Sequence, residues 1–404
     1  MGAQENLRRA PGTFRVHAGA PGARKTGTAF AHRYRPLVCG TKMERLPTLH
    51  RHLKTYQHLF IGTTMNKKLI AFCAAASLGG LAHAQSSVQL AGLVDAYVGS
   101  MRMSGDAVRQ AVVGSGGMTT SWFGFSGSED LGGGLKANFA LTSFFRADAG
   151  LQGRFTGDNL FSRDAWVGMS GGFGAFKVGR SMAPNFLPTI LFNPYGDSFT
   201  VSPLVLHANV PLFNGTGWGS TTPSDTGWSN QITYTTPSMG GLTANVHYQL
   251  GEQKTATTSG KKNAGINVLY FGGPIALTAF YERAEVSNPN PAILASVKDN
   301  WMVGGSYDAG FLKAFATYGE SEAKTTRVTG KTGTLGASVP FGSGKFLAAW
   351  ANTKMTGGAK RDTVSLGYDY AFSKRSDLYA VVMHDKITSF SSGTSYAVGL
   401  RHRF

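Results

Sequence analysis

Histidines, nucleophilic turns and glycine-rich loops are where catalytic or ligand chemistry would show first. Beyond residue 84 the chain has only four histidines, His207, His247, His384 and His402, and they are too widely spaced to present paired metal ligands on one element. Each reads as an ordinary strand or loop residue. No GxSxG nucleophile turn and no phosphate-cradling P-loop occurs, and the triple glycine at 132–134 reads as a β-turn. A hydrolase built on strands would need a serine and a histidine side by side, and none of these histidines has an obvious partner. The basic pairs Lys261-Lys262 and Lys360-Arg361 fall in loop-like segments and Lys374-Arg375 in a short turn, where solvation explains them. The sequence therefore offers no catalytic constellation, no metal site and no cofactor site, and any function must come from how the elements are arranged.

The chain has 404 residues, 54 of them glycine, with 15% charged residues and a formal net charge of +17. Low charge, glycine without a triplet period and the absence of heptads exclude a charge-driven disordered chain, a collagen-like rod and a helical bundle. Residues 65–84 open on Met65-Asn66-Lys67-Lys68, continue through a short apolar run and end on Ala82-His83-Ala84. This is the layout of a secretory signal peptide, too short to span a bilayer as a helix, and it predicts a mature chain starting at Gln85. Residues 1–64 are rich in Arg, His and Pro without any strand or helix period. They are expected to be translated upstream sequence outside the fold, the alternative being a functional basic arm. The first 84 residues hold 13 Lys+Arg and 2 Asp+Glu, which leaves 26 against 20, or +6, for residues 85–404. The high net charge is thus no sign of a nucleic-acid partner. Cys39 and Cys73 both precede residue 85, so the exported chain needs no disulfides and must draw its stability from backbone pairing.

Residues 85–404 contain no apolar run long enough for a helical span; what recurs is a segment of about ten residues with alternating apolarity. Tyr396, Val398, Leu400, His402 and Phe404 alternate with Ala397, Gly399, Arg401 and Arg403, and Leu135, Ala137, Phe139 and Leu141 alternate with Lys136, Asn138, Ala140 and Thr142. One face wants apolar surroundings and the other wants water. Seven short turns, such as the one at 131–134, alternate with eight longer loops, of which 183–228 is the longest. That count joins sixteen strands, with short turns on one rim and long loops on the other. The pattern predicts one all-β domain over 85–404, a sixteen-stranded antiparallel transmembrane β-barrel whose first strand, about 88–98, closes onto the last. Aromatics towards the strand ends, Tyr234, Tyr248, Tyr270, Phe271, Tyr281, Trp301, Tyr307, Trp350, Tyr368 and Tyr379, are expected in interfacial girdles.

Three stretches, SSVQLAGLVDAY at 86–97, FGFSGSEDLGGGLKANFAL at 123–141 and RDAWVGMSGGFGAFKVGR at 163–180, resemble the trimeric general porins of Gram-negative outer membranes, in the branch sharing GSEDLGGGLKA. The segment 229–248 and the ending VGLRHRF at 398–404 are similar to the same family, and together these motifs span nearly all of 86–404. The resemblance implies a homotrimer in outer-membrane lipid, a third loop folded into the lumen, and a water-filled channel for passive diffusion of small hydrophilic solutes and ions. It also implies that Phe404 belongs to a terminal signal read by the barrel-assembly machinery.

The resemblance further implies a constriction between an acidic third loop and a basic wall. Asp197, in FNPYGDSF at 192–199, is the candidate on the acidic side, its alternative being a solvated turn carboxylate. Arg163 matches a basic position of the opposing wall. Arg180 matches the Gly-Arg before the third loop and either lines the pore or pairs with a neighbouring subunit's second loop. Two positions depart from the family: Trp122 stands where an arginine is usual, and Thr233 where a basic residue often precedes the tyrosine. Alternation with outward Phe123 and Phe125 points Trp122 inward, so part of the basic wall is expected to be missing. A substrate-selective channel, an outer-membrane adhesion or binding barrel, and an outer-membrane enzyme are the competing readings; single-channel conductance separates a channel from the last two.

Overall fold

The computed structural model describes residues 87–208, 226–290 and 292–404. The expected upstream segment, the signal peptide and the Gln85 start lie outside the described residues. The chain begins the barrel with β1 (Ser87–Met101), β2 (Gln110–Ser115), β3 (Trp122–Gly132), β4 (Leu135–Arg146), β5 (Leu151–Gln152), β6 (Asp164–Gly171) and β7 (Gly174–Met182). Two short helices of the third loop follow, α1 (Phe186–Leu191) and α2 (Pro203–Ala208). The wall resumes with β8 (Gly227–Thr235), β9 (Leu242–Leu250), β10 (Lys262–Gly272), β11 (Ile275–Val286), β12 (Ile293–Asp308) and β13 (Lys313–Ala323), and it finishes with β14 (Val328–Phe341), β15 (Gly344–Met355), β16 (Lys360–Ala371), β17 (Ser376–Ile387) and β18 (Gly393–Arg403).

Sixteen wall strands result, because two of these elements are not independent staves. The two-residue β5 is an appendage on the end of β4. β2 and β3 share one partner: β2 pairs with β1 from Ala96↔Ser115 to Met101↔Gln110, and β3 pairs with it from Ser87↔Ser128 to Leu93↔Trp122. They are one wall strand broken at 116–121, a break the alternation pattern did not reveal. Every neighbouring pair is antiparallel, and the ring closes where β1 meets β18 from Leu93↔Arg403 to Ser100↔Tyr396. Gly92 and Phe404 exchange backbone hydrogen bonds of 3.2 and 3.1 Å at that seam, so the last residue completes the ladder. Closure leaves no sheet edge to face lipid with unpaired backbone groups.

Alternation sets the two faces as expected. Val98, Val167, Leu277, Leu335, Val398 and Leu400 stand on the outside, while Thr278, Thr334, Gly399 and Arg401 alternate with them inward. No helix among the described residues is long and apolar enough to cross a membrane; strands of nine residues or more are long enough to do so when tilted. Aromatics gather near the short-turn rim in contacts such as Phe173–Phe176–Tyr234, at 6.0 and 4.7 Å, and Phe341–Phe346–Tyr368, at 5.4 and 4.7 Å. Trp301 and Tyr318 meet at 5.9 Å further along the wall. Tyr379 corrects the girdle expectation, since its place on β17 points inward and its ring is buried.

Candidate functional site

The third loop runs from residue 183 to 226 and its described part lies against the inner wall. At its start, Asn185 donates to both carboxylate oxygens of Glu282 on β11, at 2.8 and 2.9 Å, and the Pro184 carbonyl accepts from Asn267 on β10 at 3.0 Å. The wall is shaped for this approach: a Cβ on Gly265 would stand 2.5 Å from Pro184, and one on Gly336 would stand 2.6 Å from Pro194. Further on, Tyr195 and Val201 bury themselves with Leu347, Ala349, Val381 and Met383, and Leu204 packs with Phe280 and Met302. His207 ends the described loop, fully buried between Thr353 and Thr363 at 2.8 and 2.7 Å. Thr363 donates its own proton to Asp385, so the His207 Nε2–H donates to Thr363 and Nδ1 accepts from Thr353. Burial, with the positive charge of Arg361 beside it, holds this imidazole well below its ordinary pKa, which keeps it neutral in that role.

Asp197 sits on the same loop and is positioned by the break in the wall. Asp95 on β1 points inward and accepts the backbone N–H groups of Gly117, Met118 and Thr119 at 3.1, 2.9 and 2.8 Å, and Tyr379 donates its hydroxyl to it at 2.6 Å. The segment held in this way receives the loop in turn. Ser198 donates to the Gly117 carbonyl at 2.7 Å and Thr200 to the Gly116 carbonyl at 2.9 Å. Asp197 therefore stands beside Thr119 and within the fields of Arg401 and Arg163. Burial pushes its carboxyl up to about 6, against the Thr119 hydrogen bond and those two arginines, which pull it down. Arg401 is itself held by Asp377 at 2.9 Å, Asp369 at 3.3 Å and Thr119 at 2.9 Å.

The wall from β3 to β9 is the part the loop covers least, although Gln231, Thr233, His247 and Gln249 on β8 and β9 are buried. It borders a cavity of about 220 Å³ lined by Trp122, Arg163, Trp166, Lys177, Thr233 and His247 among others. A second cavity of about 390 Å³ shares Ser126, Trp166 and Lys177 with it and continues along the lumen. Trp122 faces this space, with the Arg163 guanidinium 4.0 Å above its ring and a 3.0 Å ion pair joining Arg163 to Asp164. Lys177 repeats the motif one layer on, its ammonium 4.5 Å from the Trp166 ring centre. Such stacking stabilises a partly dehydrated cation by about 0.5–2 kcal/mol. Lys177 is also the cross-strand partner of Thr233. The positive charge expected to be absent at Thr233 is thus supplied by its neighbour, and the depleted basic wall is depleted less than the sequence implied.

Arg180 is not brought to the lumen. Phe176, Val178 and Arg180 share the outward parity of β7, while Lys177 and Gly179 point in, and the register shifts between Gly179 and Ser181. The guanidinium is buried and donates to the Ser162 carbonyl at 2.7 Å, the Gly227 carbonyl at 3.0 Å and Ser229 at 3.1 Å. It fastens the second loop to the end of the third within its own chain, which corrects the pore-lining expectation. Sequence reasoning missed Lys177, Asp95 and Arg401. Each had a signal, a charged residue at inward parity of an alternating strand, which composition alone hides. Among the described residues no group of three His, Cys, Asp or Glu is gathered as a metal site.

A family model described as Gram-negative porin matches residues 70–388. Outer membrane porin protein 32 of Delftia acidovorans is 29% identical over 84% of this chain and all of its own length. An outer membrane porin protein of Bordetella pertussis is 26% identical with the same coverage. The solved anion-selective porin from Comamonas acidovorans superposes with a TM-score of 0.67 at 25% identity, covering 79% of this chain and all of that one. Salmonella typhi OmpF, at 16% identity and a TM-score of 0.55, shares the fold. The family match spans more than half of the chain, so the chain belongs to the Gram-negative porin family and is an outer-membrane porin, a barrel for passive diffusion.

Proposed function

We propose that the mature chain is exported through the signal peptide at 65–84 and forms a homotrimer whose lumens pass small hydrophilic solutes and ions, favouring anions. It is a channel and not an enzyme or an adhesion anchor on this reading. The observation that carries it is the open wall of the lumen, where Arg163 and Lys177 stand on tryptophans facing a third loop that contributes the carboxylate of Asp197. The solved porin from Comamonas acidovorans is anion-selective, which supports the same sign. Solutes are sorted by size at the loop and by charge through the field across it, since a low-dielectric wall focuses fixed charges onto the water path.

Planar-bilayer recording tests this directly. Stepwise conductance with a reversal potential of anion-selective sign in a potassium chloride gradient is expected, and the absence of steps would favour an anchor or an enzyme. Heat-dependent migration near three times the mature mass checks the trimer, and an N-terminus at Gln85 by mass spectrometry checks export. Phe404 is proposed as part of the assembly signal: its ring lies outward over Gly92, whose Cβ would stand 2.4 Å from it. Deleting Phe404 should lower folded yield several-fold, while the channels that do form conduct normally; an unchanged yield would count against the role.

A further inference from the structure

On the outside of the barrel, one row of the wall carries charge that the chain does not neutralise. Lys331 on β14, Lys354 on β15 and Lys360 on β16 have outward parity towards the long-loop ends of their strands, and all three are exposed. Register sets them side by side, Lys331 opposite Lys354 and Lys354 opposite Lys360. Like charges directly opposite one another destabilise a sheet, so this row works against the fold that carries it. Relief from within the protein is slight. Glu320 stands 3.8 Å from Lys331, and among the described residues Lys354 and Lys360 make no ion pair. Asp362, two residues along β16 from Lys360, accepts from Asn352 at 2.7 Å and lies opposite a fourth outward lysine, Lys386. Four lysines therefore meet two carboxylates on this face, and an anion is what would settle the row.

Towards the middle of the wall the same strands turn apolar. A groove of about 580 Å³ runs there on the outer face, with the small Gly305, Ala316 and Gly333 set between Tyr318, Leu335 and Trp350. Gly333 and Leu335 follow Lys331 on β14, and Trp350 follows Lys354 on β15. Asn352 and Asp362 stand between the lysines and the groove, and the bond they share leaves Asn352 Oδ1 and Asp362 Oδ2 as acceptors for hydroxyls. From the loops inward the face thus offers ammonium groups, then hydroxyl acceptors, then an apolar trough, which is the order of phosphates, sugar and acyl chain in a phosphorylated glycolipid. With strands about 4.8 Å apart the three lysines span about 10 Å, wide enough for more than one phosphate. A subunit contact fits this face poorly, since it would bury lysines without partners. Long loops of such barrels are extracellular, so the lipid belongs to the external leaflet. We infer that this face is a binding site for a glycolipid bearing more than one phosphate, with the phosphates on Lys331, Lys354 and Lys360 and one acyl chain in the groove over Gly333. The site goes beyond the diffusion reading, because none of its side chains has the parity of the lumen.

The test titrates the folded protein in detergent with diphosphorylated lipid A, its monophosphorylated form, phosphatidylglycerol and inorganic phosphate, and counts bound molecules by native mass spectrometry. Diphosphorylated lipid A should bind saturably, with a midpoint about fivefold below that of the monophosphorylated form and about tenfold or more below that of phosphatidylglycerol. Inorganic phosphate should not bind in the same range. Lys354→Gln should raise the lipid A midpoint about fivefold, and Lys331→Gln, Lys354→Gln and Lys360→Gln together should raise it about thirtyfold or more. Glu320→Gln should lower it about twofold, by releasing Lys331 from an exposed ion pair. Gly333→Leu fills the groove without crowding the wall, since a Cβ there meets only the Tyr318 ring at 3.8 Å. That variant should fold normally and bind lipid A about tenfold more weakly. Lys374→Gln, in a short turn on the other rim, should change nothing, and the single-channel conductance should be the same in every variant. Equal midpoints for lipid A and phosphatidylglycerol overturn the site, as does a lipid A midpoint unmoved by the triple change or by Gly333→Leu. Loss of the oligomer in the triple variant, with lipid A binding intact, would make the row a subunit contact and overturn it as well.

Discussion

The inner wall from β11 to β17 and the inner wall from β3 to β9 are built by one alternation and end in opposite surroundings. On the first, Phe280, Met302, Leu347, Ala349, Val381 and Met383 meet the third loop and are buried by it. On the second, Trp122, Arg163, Trp166, Lys177 and Asn245 line a cavity and stay partly exposed. β10 is the border, with Gly265 giving room to Pro184 and Leu269 packed against Phe192. A strand pattern of period two says which residues point in, but not whether they will meet water or another segment of the chain. The barrel thus contains a small protein core along one side of a hydrated channel, and the loop is held by that core more than by its own secondary structure.

A carboxylate placed on each half tests this most severely. Leu347→Asp would bury a charge against Tyr195 and Val201 and should cost on the order of 3 kcal/mol or more, read as a fall in the denaturant midpoint of the folded barrel. Barrels that survive should give larger, noisier conductance steps, because the loop has lost its seat. Ser126→Asp, on the open side and lining the same cavity as Lys177, should shift stability by no more than about 1 kcal/mol. Equal losses at the two sites would mean that the halves do not differ.

The strand count, the turn and loop rims, closure and the outward parity of Phe404 were all legible, because each follows from period two and from the demand that every backbone group in lipid be paired. Trp122 was legible for the same reason, flanked by outward Phe123 and Phe125. What stayed hidden depends on contacts distant in sequence. The break at 116–121 looks like loop in sequence and is made by Asp95, 22 residues before Gly117, and Tyr379, 284 residues from Asp95. Arg180 was offered two roles by the resemblance, although the outward parity of β7 already pointed it away from the lumen, and its partners Ser162, Gly227 and Ser229 are distant in sequence.

Asp95 joins the two halves, since the segment it holds also receives Ser198 and Thr200 of the loop. Asp95→Ala strands three N–H groups and the Tyr379 hydroxyl, and water will refill part of that space. A loss on the order of 2–3 kcal/mol is expected, together with broadened conductance levels. Sharp, wild-type levels in a folded Asp95→Ala barrel would show that the loop is positioned by the covered wall alone.

Charge on the open half should act on selectivity and leave stability nearly alone. Trp122→Arg adds a guanidinium beside Arg163 and should raise the chloride-to-potassium permeability ratio, while Arg163→Ala should lower it. Each change is expected to be about two- to fivefold, the effect of roughly 0.5–1 kcal/mol in a largely aqueous path. Both should shrink in 1 M salt, where the screening length falls to about 3 Å. An unchanged reversal potential in folded Trp122→Arg channels would place residue 122 away from the narrow part of the lumen.

The smallest effect expected is a pH dependence from the loop carboxylate that faces both halves. Burial raises Asp197 from an ordinary 3.8 to about 6, so the folded state holds its proton where the unfolded state has lost it. The sign follows: its contribution to stability is full below about 3.8 and is lost as pH rises through 6, while negative charge appears in the lumen over the same rise. Anion preference should therefore decline from pH 5 to pH 7. The change should be modest, about 1.5-fold, because Arg163 and Arg401 offset the new charge and mobile ions screen it. His207 works in the other direction on stability, since a depressed imidazole supports the folded loop above its ordinary 6.5 and loses that support only as pH falls. Asp197→Asn separates the two. It should flatten the selectivity profile between pH 5 and 7 at the value the wild type shows at pH 5, and leave the acid loss of stability due to His207 in place. If Asp197→Asn keeps the wild-type slope, the titrating group lies elsewhere on the open wall, and Asp197 presents no working charge to the lumen at neutral pH.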